Sequence, residues 1–156
     1  MVSDIGLKKD GAAKTAEALN QYLADQQILY AKLHAYHWNL EGPMFFPLHE
    51  KLQELYKAVA ESIDEIAERI LMIGHRPLTR LSEYQKQAKI KEVESEKVAD
   101  QETVRILLAD YQHLVKSLRG IIELAGESGD DGTVDLATNE LRAHEKTVWM
   151  LSAHLG

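Results

Sequence analysis

Apolar residues recur at helical intervals along almost the whole of this chain. From about Lys14 to Leu40 the stripe Leu19, Leu23, Tyr30, Leu33, His37 and Leu40 keeps three-, four- and seven-residue steps. Glu41-Gly42-Pro43 breaks it. A second stripe, Leu48, Leu52, Leu55, Val59, Ile63, Ile66, Ile70 and Ile73, predicts a helix from about Met44 to Ile73, ended by Gly74 and Pro77. A short helix is expected over Leu81 to Ala88. Leu107, Tyr111, Leu114, Leu118 and Ile121 mark a third long helix from about Ser95 to Ala125. A turn rich in Gly and Asp follows, from Gly126 to Gly132. Leu141, Val148, Leu151 and Leu155 then mark a fourth helix from about Val134. Strand signals are absent. Four long amphipathic helices with one longer middle connection describe an all-α four-helix bundle over residues 14–156, preceded by a flexible N-terminal tail over 1–13.

The second helix carries more than one patterned face. Beside the Leu48 stripe runs another made of His49, Gln53, Tyr56, Ala60, Asp64, Ala67, Glu68 and Leu71. It mixes small, aromatic and apolar residues with ligand-type side chains, whereas a solvent face would be richer in Lys and Glu. It reads as a surface that packs on another helix, with the same helix of a second subunit as a fitting partner, because a two-fold contact is self-complementary.

Four residues on or near that surface are ligands of the kind iron accepts: His37, His49, Asp64 and Glu68. Asp64 and Glu68 are one helical turn apart, so their carboxylates point the same way. The short loop 39–43 folds His37 back toward His49. His49 precedes Asp64 by fifteen residues. At the helical rise that is about 22 Å along the axis, too far for one ion. Either the histidines and carboxylates are unrelated, or they meet across two chains. Taken singly, each histidine also reads as a satisfied helix-end or core residue, and the carboxylates as a solvated helix face. Di-iron bundles that hold metal inside one subunit use Glu-x-x-His on paired helices, and this chain has none. The nearest pattern, Asp110-Tyr111-Gln112-His113, is a lone instance expected to face solvent.

Composition narrows the class. At 156 residues the chain fits one domain with a proper core. No run of eighteen apolar residues occurs, so no membrane span is expected, and residues 1–10 lack the apolar stretch of a secretion signal. The chain has no cysteine, which excludes disulfides, thiolate zinc sites and cysteine nucleophiles and suits a protein that meets oxidants. A net charge of −7 opposes DNA and attracts cations.

Longer stretches resemble a known family. Lys32-Leu33-His34-Ala35-Tyr36-His37-Trp38-Asn39-Leu40-Glu41-Gly42-Pro43, continued by Phe45-Phe46-Pro47-Leu48-His49-Glu50-Lys51, resembles the Dps family, the miniferritins or DNA-binding proteins from starved cells. Ile63-Asp64-Glu65-Ile66-Ala67-Glu68-Arg69, Ile73-Gly74, Pro77-Leu78-Thr79, Gly129-Asp130-Asp131-Gly132-Thr133 and Glu145-Lys146-Thr147-Val148-Trp149-Met150-Leu151 are similar as well. The resemblance runs from about Leu19 to Leu155.

It implies a ferritin-like bundle with a short extra helix in the middle connection, assembling as a hollow homo-dodecamer with ferroxidase centres at two-fold interfaces. Position by position, His37 and His49 would come from one subunit, and Asp64 and Glu68 from its partner. Gln53 stands where relatives usually carry Asp or Glu, so the second iron position is expected to be weak. Trp38 matches an aromatic beside the iron that intercepts oxidising equivalents; an interface anchor is its alternative reading. Asp130 and Asp135 match the acidic ring of a three-fold pore that admits iron, with Asn139 where relatives are often acidic; a helix N-cap explains one of the aspartates equally well. The implied activity is oxidation of Fe(II), preferably by hydrogen peroxide, and storage of Fe(III), with protection of cell and DNA. Zinc accepts the same ligands. The family's DNA binding usually needs a lysine-rich tail. Residues 1–14 offer Lys8, Lys9 and Lys14 against Asp4 and Asp10, one net positive charge. A DNA-compacting dodecamer with vestigial iron sites is therefore the rival reading. The expected location is the cytoplasm, with the nucleoid as a further site if DNA is bound.

Overall fold

The computed structural model describes residues 4–156; Met1, Val2 and Ser3, part of the expected tail, lie outside the described residues. Among the described residues, five helices and one short strand pair form: α1 (Lys9–Asn39), β1 (Leu40–Glu41), α2 (Phe45–Met72), α3 (Leu81–Gln87), β2 (Val98–Ala99), α4 (Asp100–Glu127) and α5 (Asp131–Leu155). The all-α four-helix bundle is as expected, and α3 is the short extra helix of the middle connection.

Cross-bundle pairs fix the topology. Gln26 meets Ser62 and His37 meets His49, so α1 and α2 are antiparallel. Lys32 pairs with Asp110 and Asp25 with His113, so α4 also opposes α1. Ser62 meets Glu140 and Arg69 meets Asp130, so α5 opposes α2. Helices α2 and α4 thus run the same way, which requires the long crossover through residues 73–99. That crossover is pinned by a two-residue parallel pairing, Leu40 with Val98 and Glu41 with Ala99.

The expected stripes build the core. Leu19, Leu23, Leu33, Leu52, Ile66, Ile70, Leu107, Leu114 and Leu118 are buried on the bundle axis. Each contributes about 1.5–3 kcal/mol of transfer free energy. Helix α1 is buried over more of its circumference than its stripe suggests: Tyr22 to Gln26 are all inside, because α1 packs on α2, α4 and α3 at once. The second face of α2 stays uncovered in the protomer, with Ala60, Asp64, Glu68 and Leu71 exposed.

Two helices end in the same way. Gly74 (φ 87°) and Gly129 (φ 72°) adopt the left-handed conformation that only glycine takes cheaply. Beyond them His75 N–H bonds Ile70 C=O at 3.0 Å and Asp130 N–H bonds Ala125 C=O at 2.8 Å, closing both last turns.

Three expectations are corrected. Helix α1 starts at Lys9, so residues 9–13 are helical rather than tail: Gly11 lets the helix lie against Ser128, whose Cβ would collide with any Cβ added there. The strand pair has no sequence signature, being two residues long. Asp110 and His113 do not face solvent but turn onto α1. Among the described residues no helix is long and apolar enough to cross a membrane.

Candidate metal centre

His37 sits in the last turn of α1 and His49 in the first turns of α2, with residues 40–44 reversing the chain between them. The last four carbonyls of a helix lack intrahelical partners. The C=O of His37 is one of them, and His49 Nδ1–H donates to it at 2.8 Å. His37 Nδ1–H donates in return to the C=O of His49, also at 2.8 Å. The two rings stack, with centroids 3.7 Å apart and planes inclined by 15°.

This reciprocal clasp fixes chemistry as well as position. A carbonyl only accepts, so Nδ1 of each ring carries the proton, and in the neutral ring Nε2 is the nitrogen with the free lone pair. Burial lowers the affinity of His37 for a second proton, and the nearby His49 and His34 lower it further, against the opposing effect of its carbonyl bond. A neutral imidazole with an oriented Nε2 is the ligand form, held by the outer hydrogen bond that metal-binding histidines normally have. Aromatic rings wall the pair: Phe45 stacks on His49 at 4.9 Å, and Tyr56 stands edge-on to His37 at 5.3 Å. Gln53 lies half-buried one turn beyond His49. Trp38 is 71% exposed and leans on His34 at 5.1 Å.

Asp64 and Glu68 lie farther along the same unbroken helix, both exposed. The fifteen-residue offset therefore stands at about 22 Å. Neither carboxylate has a hydrogen-bond or ion-pair partner among the described residues. One protomer brings His37 to His49 and Asp64 to Glu68, but not the first pair to the second. Among the described residues no group of three or more His, Asp or Glu converges on one point.

The two pore candidates separate. Asp130 is the N-cap of α5, 2% exposed, accepting the Thr133 N–H at 3.0 Å and the Thr133 hydroxyl at 2.6 Å while pairing with Arg69. Its charge is spent inside the protomer, as the N-cap alternative required. Asp135 and Asn139 are exposed on the following turns.

A buried polar network went unread. Tyr22 Oη lies 2.9 Å from Glu140 Oε2 and 2.8 Å from His144 Nε2. Ser62 donates to Glu140 at 2.6 Å, and Gln26 donates to Tyr22 at 2.6 Å and to Ser62 at 2.8 Å. Burial pushes His144 down to about 4. These groups occupy the bundle interior, where Glu140 Oε2 accepts from the Tyr22 and Ser62 hydroxyls, while Gln26 Oε1 is buried without a partner. The signal was present: Gln26 and Ser62 interrupt apolar stripes at core positions.

The model of the ferritin-like domain family matches residues 16–156. With the bundle above, that makes the chain a ferritin-like four-helix-bundle protein. A DNA protection during starvation protein of Porphyromonas gingivalis is 44% identical, covering 96% of this chain and 93% of that relative. Its namesake in Helicobacter pylori is 38% identical over 91% of this chain and 99% of its own length. The crystal structure of the Dps protein from Vibrio cholerae O1, described as a member of a broad superfamily of ferritin-like diiron-carboxylate proteins, superposes with a TM-score of 0.94 at 41% identity, covering 100% of this chain and 98% of that one. The chain belongs to the Dps family.

Proposed function

We propose that the chain is a ferroxidase and iron-storage protein that oxidises Fe(II), preferably with hydrogen peroxide, and keeps the Fe(III) in a hollow homo-dodecamer, protecting the cell and its DNA. The His37–His49 clasp carries this reading. It leaves Nε2 of both rings free of the carbonyl bonds and beside the interface-like face of α2, while Asp64 and Glu68, unpartnered among the described residues, wait at the far end of that face. An antiparallel two-fold contact between two α2 helices would bring the histidines of one protomer to the partner subunit's Asp64 and Glu68, twice per dimer.

The chemistry follows from the ligand set. Two neutral imidazoles and two carboxylates balance the charge of one ferrous ion and bind the ferric ion more strongly, so the site favours loss of an electron. Two ferrous ions give one electron each to hydrogen peroxide; the O–O bond breaks, and two protons complete two waters. Removing ferrous iron and peroxide together suppresses hydroxyl-radical formation, which is the protective effect. Gln53 supplies a neutral oxygen to the second ion and binds it weakly. Trp38, exposed near the clasp, is positioned to take up stray oxidising equivalents. Iron would enter through three-fold pores where Asp135 presents its carboxylate, with Asp130 holding the pore helix through Arg69. Zinc would occupy the same ligands without turnover.

The relatives' names and the diiron-carboxylate superfamily of the V. cholerae neighbour support an iron-handling and protective role. The test is anaerobic Fe(II) titration of the purified assembly followed by added peroxide. Saturable uptake with oxidation of two irons per peroxide is expected, and His37→Gly with His49→Gly should lower the rate more than tenfold with the oligomer intact. An unchanged rate in that variant sinks the reading. DNA compaction is the second reading, favoured by Lys8, Lys9 and Lys14 lying exposed around the start of α1. Tight gel-shift binding at low salt without iron turnover would select it. The first reading places the protein in the cytoplasm, and DNA binding would add the nucleoid.

A further inference from the structure

Polar residues placed inside a leucine core break the local pattern, and such breaks mark sites that serve something besides packing. The network of Tyr22, Gln26, Ser62, Glu140 and His144 is one. Tyr22 is wholly buried. Its hydroxyl donates to Glu140 Oε2 at 2.9 Å, and the Gln26 amide donates to that hydroxyl at 2.6 Å. His144 Nε2 lies 2.8 Å from the same oxygen. With the phenol proton on the Glu140 side, the neutral His144 ring donates from Nε2. The phenol oxygen thus has two donors aimed at it and one base placed to receive its proton.

A tyrosine that gives up an electron needs that surrounding. A phenol that has lost an electron is a strong acid, so its proton must leave at the same time, along a hydrogen bond already in place. Burial and the Glu140 charge hold the Tyr22 hydroxyl well above its ordinary pKa, so the proton does not leave beforehand. Loss of both leaves a neutral phenoxyl beside a neutral Glu140, and no charge is created in the core. Other tyrosines lack the base. Tyr84 donates to the Leu78 carbonyl, which cannot keep a proton, and the Tyr36 hydroxyl is buried without a partner.

Ser62 links the network to the candidate centre. It donates to Glu140 at 2.6 Å and stands on α2 two residues before Asp64, whose side chain is exposed on the outer face. The thickness of one helix, about 10–12 Å, separates the two groups. Electrons tunnel across such a span of packed protein.

We propose that Tyr22 is a redox-active residue that supplies the second electron to hydrogen peroxide when a centre holds a single ferrous ion. The step rests on the ferroxidase reading and on the weak second iron position beside Gln53. Peroxide takes up two electrons and two protons to become two waters. One electron comes from the ferrous ion, which becomes ferric. The other comes from Tyr22, whose proton passes to Glu140 Oε2, and two solvent protons complete the waters. With iron as the sole donor, the O–O bond would break to hydroxide and a hydroxyl radical. A later ferrous ion returns an electron to the phenoxyl, Glu140 returns the proton, and the phenol is restored.

The test is freeze-quench electron paramagnetic resonance of the assembled protein carrying one Fe(II) per centre, mixed anaerobically with peroxide. A tyrosyl signal is expected that disappears in Tyr22→Phe. In Glu140→Gln, which keeps the size of the neighbour but removes the base, the signal should fall about tenfold, as for one lost hydrogen bond to a charged group. With one Fe(II) per centre, Tyr22→Phe should also release more spin-trapped hydroxyl radical than the native chain. With two Fe(II) per centre its rate of iron oxidation should match the native rate, and circular dichroism checks that each variant folds. A tyrosyl signal that survives Tyr22→Phe, or equal spin-trap yields from variant and native chain, would overturn the proposal. Normal iron oxidation without a tyrosyl signal overturns this step alone, whereas absence of iron oxidation overturns the ferroxidase reading and this step together.

Discussion

Acid should unfold this protein partly through one side chain, His144. Its ring is 8% exposed inside the bundle, and its Nε2 touches the Tyr22 hydroxyl at 2.8 Å. Two influences compete there. Glu140 Oε2 lies 3.7 Å away and would favour a charged ring. That oxygen already accepts from the Tyr22 and Ser62 hydroxyls, and burial prevails, setting His144 at about 4 against an ordinary 6.5. The folded ring therefore stays neutral down to pH about 4, while the unfolded ring takes a proton below about 6.5. Full stability is present above the unfolded value and is lost as pH falls through that window. At about 1.36 kcal/mol per pH unit the loss approaches 3 kcal/mol per protomer near pH 4.

The assay is urea unfolding by far-ultraviolet circular dichroism from pH 7.5 to 4.5, at fixed protomer concentration, for the native chain and His144→Gln. The other acid-titrating groups are common to both, so the difference isolates the imidazole. The native chain should lose about 2–3 kcal/mol more than the variant between the two ends. Parallel curves would refute the argument. A native chain that gains on the variant in acid would mean that attraction to Glu140 outweighs burial.

Two further substitutions test other parts of the structure. Gln53→Glu adds a carboxylate on the turn after His49 and should tighten the weaker of two Fe(II) binding steps about tenfold in an anaerobic titration; an unchanged second step removes Gln53 from the site. Arg69→Ala strands the buried carboxylate of Asp130 with only Thr133 as donor and should cost about 3 kcal/mol by urea unfolding, and a loss under 1 kcal/mol would mean that Asp130 is far better solvated than its burial implies.

The parts of this fold that were legible in the sequence are the ones set by local periodicity. Leu48 through Ile70 on α2 and Leu107 through Ile121 on α4 are buried where a 3.6-residue repeat puts them. The second face of α2 was legible for the same reason, since Asp64 and Glu68 share it whatever surrounds the helix. What escaped depends on a partner elsewhere in the chain. Asp110 and His113 look like surface residues until Lys32 and Asp25 of α1 are set against them. Asp25 caps the backbone N–H groups of Lys89 and Ile90 at 2.6 and 2.9 Å, a loop contact that no repeat encodes. The site is split in the same way: proximity of His37 and His49 follows from a short loop, but the carbonyl clasp that orients them needs both helix ends in place.

On the proposed reading, each protomer holds one half of a site in that clasp and, about 22 Å away on the same helix, the other half of another in Asp64 and Glu68. The arrangement can be tested by complementation. One variant carries His37→Gly and His49→Gly, the other Asp64→Asn and Glu68→Gln; each alone should be nearly inactive. Unfolded together in equal amounts and refolded, they pair at random, and about half of the two-fold pairs are mixed. In a mixed pair one site combines intact histidines with intact carboxylates, while the other combines both losses. About a quarter of the native number of sites, and of the native initial Fe(II) oxidation rate, should therefore return. No shuffling of chains rescues a site built within one chain. A mixture as inactive as its components, with native assembly verified by light scattering, would rule out the shared centre.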